Sequence, residues 1–251
     1  MRQQEKIGFI KMFTTAVAKP REYKNILQVK KRTVILYILI VSFLLTFLGT
    51  AMPILGFMAS IGGPKHFIMD TLPQFQYQDG KFSIEQRVEI NDGGVRIIAD
   101  DDVKNFKEKD FDEEALVEVL ISRENMRIKN TAAKQNVEFK FADFGKGTFD
   151  NKGLVGMLPI FYAGAVFGLG LLFGYTIVGY LFSACIFAFC GKSFGRMMGK
   201  EISYKQTFLF AIMARTTAGI LNSMGTAADL AFFQSVTWIF VEFVIVLVYL
   251  Y

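Results

Sequence analysis

Histidine is nearly missing from this chain: of 251 residues, His66 alone is one. A single imidazole excludes the paired-histidine zinc motif His-Glu-x-x-His and leaves any Ser-His-Asp triad to depend on His66. That residue follows the breaker cluster Gly62-Gly63-Pro64 and reads as a loop residue. Cysteine is scarce too. Cys185 and Cys190 both lie in an apolar run, five apart and so on different faces of a helix, which excludes a disulfide framework. Gly145-Lys146-Gly147-Thr148 lacks the preceding Gly-x-x-x-x-Gly spacing of a phosphate loop and reads as a turn. Asp100, Asp101 and Asp102 lack the glycine and terminal glutamate of a calcium loop, so a solvated acidic loop is the simpler reading. With these motifs missing, no metal, no cofactor and no enzymatic activity are expected.

The most informative absence is charge. From Leu154 to Cys190 there is no Asp, Glu, Lys or Arg. A helix needs only about 20 apolar residues to cross a bilayer core, so this run is long enough even when tilted. Two further apolar blocks, Thr33 to Ile61 and Phe208 to Tyr251, leave a polar middle from Gly62 to Gly153. The fold expected is an α-helical integral membrane bundle of four spans with an inserted small extracellular antiparallel β-rich domain.

Charge placement orients that bundle. The polar middle holds 14 Lys and Arg against 18 Asp and Glu, whereas the rest of the chain holds 14 against 5. The excess positives sit in the first 32 residues, ending in Lys30, Lys31 and Arg32, and in the segment 191–206 with Lys192, Arg196, Lys200 and Lys205. Basic flanks stay on the cytoplasmic side during insertion, which places both segments and both termini in the cytoplasm of a multi-pass plasma-membrane protein. The pI of about 9.1 then reflects basic residues that abut spans and suit anionic lipid headgroups, not nucleic acid.

In chain order, residues 1–32 form a basic cytoplasmic segment with an amphipathic helix. Phe9, Phe13 and Val17 recur at i, i+4 and i+8, with Pro20 ending the helix. Such a helix suits either the headgroup layer or a groove on the protein's own bundle. Residues 33–61 hold the first span, from Thr33 to about Met52 or onward past Pro53. A cleaved signal peptide fits poorly, because the basic leader is over 30 residues long and the apolar run exceeds the usual length of about 7 to 15. Residues 62–153 read as strands: Phe75-Gln76-Tyr77-Gln78, Asp79-Gly80, the run from Lys81 to Ile90, a turn at 91–94, then Val95 to Asp100. Ala115 to Ser122, Met126 to Asn130 and Val137 to Phe144 follow. Residues 154–251 supply three more spans, the last two being Thr207 to about Ala228 and Phe232 to Tyr251, with loop 191–206 between the first two.

Two sets of residues inside the apolar blocks stand out. Gly164 and Gly168, and Gly170 and Gly174, are small residues four apart that permit close helix packing. Arg215, Asn222 and Asp229 are spaced by sevens on one face of the third span. Arg215 and Glu242 would lie at equal depth, about 12 to 14 Å in by the helical rise. Opposite charges there neutralise each other, either as a structural pair fixing the last two helices or as part of a polar path for a proton, ion or headgroup.

A resemblance adds to this reading. Phe-Thr-Thr-Ala-Val-Ala-Lys-Pro-Arg-Glu-Tyr at Phe13 to Tyr23 precedes the first span. Leu72-Pro73-Gln74-Phe75 leads into a strand with Asp79-Gly80, and the hairpin from Ile121 to Asn130 and the strand ending Phe141-Ala142-Asp143-Phe144-Gly145 follow. Over nearly its full length the chain resembles an uncharacterised membrane-protein family of Gram-positive bacteria, a domain of unknown function sometimes labelled maltodextrin-utilisation proteins and distantly related to the Yip family. The resemblance implies an integral plasma-membrane protein accessory to carbohydrate uptake, and carries no catalytic residues.

The function expected is thus a non-enzymatic accessory or scaffold. Its extracellular domain contacts a partner, and its bundle associates with another membrane protein or oligomer in a bilayer with anionic lipids. The alternative is a transport component whose polar path runs through Arg215 and Glu242.

Overall fold

The computed structural model describes residues 7–92, 94–112, 115–131, 134–228 and 230–250. They form two units: a helical one containing residues up to Phe57 and from Gly164 onward, and a β-rich one from Met58 to Ala163.

The β unit starts with a short helix, α4 (Pro64–His66), and a wide turn at Phe67–Thr71. His66 lies there, with Nδ1 2.6 Å from Asp70 Oδ2 on the exposed side. Eight strands follow: β1 (Phe75–Gln78), β2 (Lys81–Ile84), β3 (Val88–Asp92), β4 (Val95–Ala99), β5 (Val117–Ile121), β6 (Asn125–Asn130), β7 (Gln135–Lys140) and β8 (Thr148–Asp150). They make two sheets, ordered β2-β1-β8 and β3-β4-β5-β6-β7. The expected Asp79-Gly80 hairpin is present. Both residues adopt positive φ, 47° and 85°, as a two-residue hairpin turn requires.

Several features differ from the sequence expectation: His66 lies in α4 and not in a loop, and the strand expected from Val137 to Phe144 ends at Lys140, with a 3-10 turn at Phe141–Phe144. The run from Lys81 to Ile90 is not one strand, because the chain leaves the small sheet after Ile84 and joins the large one at Val88. The domain is also not purely antiparallel: β4 and β5 pair in parallel, Ile97 opposite Val119. A hairpin connection would have made them antiparallel; a parallel neighbour requires the chain to cross back to the same end of the sheet before β5 begins. Asn125, 1% exposed, secures that crossover. Its Oδ1 accepts from the Phe106 N–H, and its Nδ2 donates to the Phe106 carbonyl and to Glu138 Oε1. The Asn125 and Arg127 donors beside it hold the Glu138 carboxyl below the ordinary glutamate value. In the parallel pair, Glu118 is fully buried opposite Arg96, at 2.6 Å, and accepts the Asp112 N–H at 2.7 Å.

The helical unit begins with α1 (Phe9–Ala18), which buries Met12, Thr15 and Ala16. Pro20 ends it, and a 3-10 turn at Pro20–Ile26 buries Tyr23 and Ile26. Of the two places open to this helix, it takes the groove on its own bundle. Carbonyls at its C-terminal end accept from Tyr23 and Tyr249, Ala16 O at 3.0 Å and Val17 O at 3.2 Å.

The helix α2 (Lys31–Thr46) continues through a π turn at Phe47–Ala51 into α3 (Met52–Ser60). Proline supplies no N–H, and ahead of Pro53 the ladder shifts to the wider i→i+5 spacing, the Met52 N–H donating to the Phe47 carbonyl. The helix therefore passes the proline unbroken.

The longest element is α5 (Asn151–Met197), 47 residues or about 70 Å at 1.5 Å per residue. It begins in the β unit, where Asn151 Oδ1 accepts the Phe75 N–H and Nδ2 donates to the Ile68 carbonyl. It then runs through Pro159 and past Cys190, so the expected loop 191–206 shrinks to the segment between Met197 and Tyr204. Gly199, at φ +71°, allows the chain to turn out of the helix there.

Then come α6 (Tyr204–Ala227), α7 (Ala231–Gln234) and α8 (Val236–Leu250). Ser203 and Gln206 start α6 with a reciprocal capping box. The expected single helix from Phe232 to Tyr251 is interrupted at Ser235, whose Oγ accepts the Trp238 N–H and starts α8 afresh. The core of this unit gathers on α6, where Ala211, Ala214 and Ala218 are fully buried. A Cβ added at Gly219 would stand 3.2 Å from Leu45, so α2 and α6 approach closely.

Candidate functional site: a polar cluster and cavity within the helices

Arg215 lies halfway along α6. Its Nη2 is 3.2 Å from Glu242 Oε1 of α8, and its Nη1 donates to Ser183 Oγ of α5. The guanidinium also lies 5.9 Å from the Tyr180 ring and 5.8 Å from that of Phe187. Both members of the pair are mostly buried, at 18% and 17% side-chain exposure. Arg215 Nε has no partner. The ion pair thus ties α6 to α8, while the remaining guanidinium contacts tie it to α5.

The next residue, Thr216, is the centre of a hydroxyl cluster. Tyr37 of α2 and Thr216 of α6 are 2.5 Å apart, and Tyr180 is 3.1 Å from the same threonine. Tyr180 and Thr216 both donate to the Ile212 carbonyl. A proton relay needs an onward acceptor, but this chain of hydrogen bonds ends on a backbone oxygen. Its chemistry is structural: it crosslinks three helices where an unpaired polar group would cost several kcal/mol in an apolar surrounding.

Beside the pair is a cavity of about 350 Å³ between the π turn, α5, α6 and α8. Thr46, Thr50, Thr176, Asn222, Ser223 and Thr226 give it a polar lining, with Arg215 and Glu242 at one side. Thr46 Oγ1 donates to the Ser42 carbonyl and to Thr176 Oγ1, both at 3.0 Å. Asn222 Oδ1 is buried and unpaired. The site holds one positive and one negative charge, already in contact, together with unused hydrogen-bonding groups. It can bind a small polar group. Among the described residues no set of three or more His, Cys, Asp or Glu could hold a metal.

Other residues singled out by sequence are placed as follows. Asp229 lies outside the described residues. Cβ atoms added at Gly164, Gly168, Gly170 and Gly174 would meet nothing within 4 Å, so among the described residues no helix packs on that stripe. Lys30, Lys31, Arg32, Arg196, Lys200 and Lys205 are exposed and Lys192 is half-buried. Cys185 and Cys190 are free thiols.

Sequence reasoning missed Tyr37, Tyr180, Ser183 and Thr216, which complete the cluster. Their signal was hydroxyl side chains recurring inside otherwise apolar runs.

These features define a class: a two-unit protein with an ion-paired polar cluster inside a helical unit, and two helices, Lys31–Ser60 and Asn151–Met197, long and apolar enough to cross a membrane. Residues 10–251 match the family described as protein of unknown function (DUF1189), and the chain belongs to that family. No curated protein and no solved structure matches it.

Proposed function

We propose that this chain is a multi-pass plasma-membrane protein, with four crossings, both termini in the cytoplasm and the β unit outside, acting as a non-enzymatic accessory or scaffold. The observation that carries this reading is α5. Its apolar stretch has a mean hydropathy of 1.9, yet only 6% of that stretch is buried. A core helix of a soluble protein would be mostly buried, and a signal sequence would sit near the N-terminus; α5 is neither. Val166, Phe167, Val178, Phe182 and Phe189 are all about two-thirds exposed, far more apolar surface than a soluble monomer presents to water. At 15 residues, or about 22 Å, α8 crosses only with help from α7 or from local thinning of the bilayer.

The β unit would contact the partner, and the outward stripe at Gly164 to Gly174 would receive a helix of another membrane protein or of a second copy. Family resemblance supports a Gram-positive source and a partner in carbohydrate uptake or the cell envelope. The suggested Yip kinship is weaker, since that family is usually drawn with five spans. Lys30, Lys31, Arg32 and the Lys192 to Lys205 segment would lie on anionic headgroups. The test is an impermeant amine label on intact cells: it should modify Lys81 and Lys140 and spare the Lys192 to Lys205 segment. The reverse pattern would overturn the orientation.

A second reading is favoured by the cavity that reaches Arg215 and Glu242: a transport component with a polar path. Flux into liposomes holding this protein alone would support it, and stable copurification of a partner without flux supports the scaffold.

A further inference from the structure

The cavity beside Arg215 and Glu242 combines two properties that seldom occur together. Its lining brings an ion pair and several hydroxyl and amide side chains among apolar ones, whereas the helix surface around it is apolar. Tyr175 lines it and is 77% exposed. Around Tyr175 on α5 stand Leu171, Leu172 and Val178, and along α8 beside Glu242 stand Ile239 and Phe240, all exposed. A water-soluble polar molecule has no favourable approach across such a surface, and a hydrocarbon inside the cavity would leave its polar lining groups without partners. An amphiphile fits both, with its head inside and its chains along the apolar rim.

Charge narrows the head. The site carries one guanidinium and one carboxylate, 3.2 Å apart. A purely anionic head drawn to Arg215 would meet Glu242, and a purely cationic one drawn to Glu242 would meet Arg215. A head bearing both signs suits both, its phosphate facing the Arg215 guanidinium and its ammonium facing Glu242, both of which line the cavity. Asn222, Ser223 and Thr226 line the same cavity and supply polar groups for the remaining hydrogen bonds. The volume, about 350 Å³, falls at the small end of the range of about 300 to 1,000 Å³ for ligand sites, enough for a head but not for a whole lipid. The π turn that forms one wall is a geometry that recurs at functional sites.

We propose that this cavity binds the headgroup of a zwitterionic phospholipid. The proposal rests on the membrane reading above and adds a ligand to the polar path. Its test is native mass spectrometry of the full chain, purified from liposomes containing equal phosphatidylethanolamine and phosphatidylglycerol and stripped of annular lipid by detergent exchange. One phosphatidylethanolamine per chain should remain, at least tenfold enriched over phosphatidylglycerol. Ser223→Leu and Asn222→Leu, which fill the cavity without touching the ion pair, should lower retention at least tenfold while leaving helical circular dichroism unchanged. Soluble glycerophosphoethanolamine should not displace the lipid at equal concentration. Retention of phosphatidylglycerol in equal amount, retention unaffected by both leucine variants, or no retained lipid would each overturn the proposal while leaving the membrane reading in place. Failure of the chain to enter liposomes at all would overturn the membrane reading itself.

Discussion

The pairing of Arg215 with Glu242 predicts an asymmetric response to substitution. Arg215→Leu leaves Glu242 without its 3.2 Å partner. Removing one member of a buried pair typically costs about 3 to 5 kcal/mol, and this variant belongs at the upper end. Glu242→Leu leaves Arg215 better supported, since Ser183 still accepts from Nη1 and the Tyr180 and Phe187 rings still face the guanidinium. A desolvated cation over a ring retains about 2 kcal/mol, so this single change should cost about 2 to 3 kcal/mol. Replacing both by leucine removes both charges from an apolar surrounding and should cost about 1 kcal/mol or less, below either single change. The assay is unfolding of the full chain in mixed micelles titrated with sodium dodecyl sulfate, followed by helical circular dichroism. A double variant whose loss equals the sum of the two singles would refute the coupling. Equal losses for the two singles would refute the supporting role of Ser183 and the two rings.

Three further outcomes follow from the same structure. Glu118→Ala should destabilise the β unit by about 3 to 5 kcal/mol, because Arg96 and the Asp112 N–H both lose their acceptor, whereas Glu118→Gln should cost less; chemical denaturation read through β-sheet circular dichroism separates them. Asn125→Ala should cost about 2 to 3 kcal/mol by orphaning the Phe106 amide and carbonyl, and hydrogen exchange should rise first in residues 100–112. Because the Asn125 and Arg127 donors depress the Glu138 carboxyl, its contribution is complete above the ordinary glutamate value of about 4.3 and is lost as pH falls through the lower folded value. Glu138→Gln should therefore flatten the acid limb of a pH-stability curve and leave the region above pH 5 unchanged in slope; an unaltered acid limb would refute the assignment.

Much of the chain follows from local pattern. The absence of charge from Leu154 to Cys190 is enough for a long apolar helix, and Asp79-Gly80 is enough for its hairpin, since glycine tolerates the positive φ at little cost. The Arg215 and Glu242 pairing was also legible, because two charges at matching depth in apolar helices have few other ways to avoid a desolvation penalty. Family membership was accessible from the short motifs between Phe13 and Gly145.

Other features depended on contacts between segments far apart in sequence. Nothing local tells β4 to pair in parallel with β5, because the choice depends on where the chain re-enters the sheet, and Asn125 holding Phe106 is a contact far along the sequence that secures the described part of that return. The position of α1 was left open by its amphipathic pattern, which suits a headgroup layer or a protein groove equally. The groove was decided by Tyr249, more than 200 residues away, reaching the Val17 carbonyl. The break at Ser235 and the unbroken passage through Pro53 likewise show hydrogen-bond geometry overriding hydropathy. Sequence by itself determined the long apolar helices and the Asp79-Gly80 turn, because those depend on composition and backbone preference within a few residues. Only the tertiary structure decided which hydroxyls meet around Arg215 and line a cavity, because that requires four helices to bring their few polar residues to the same height.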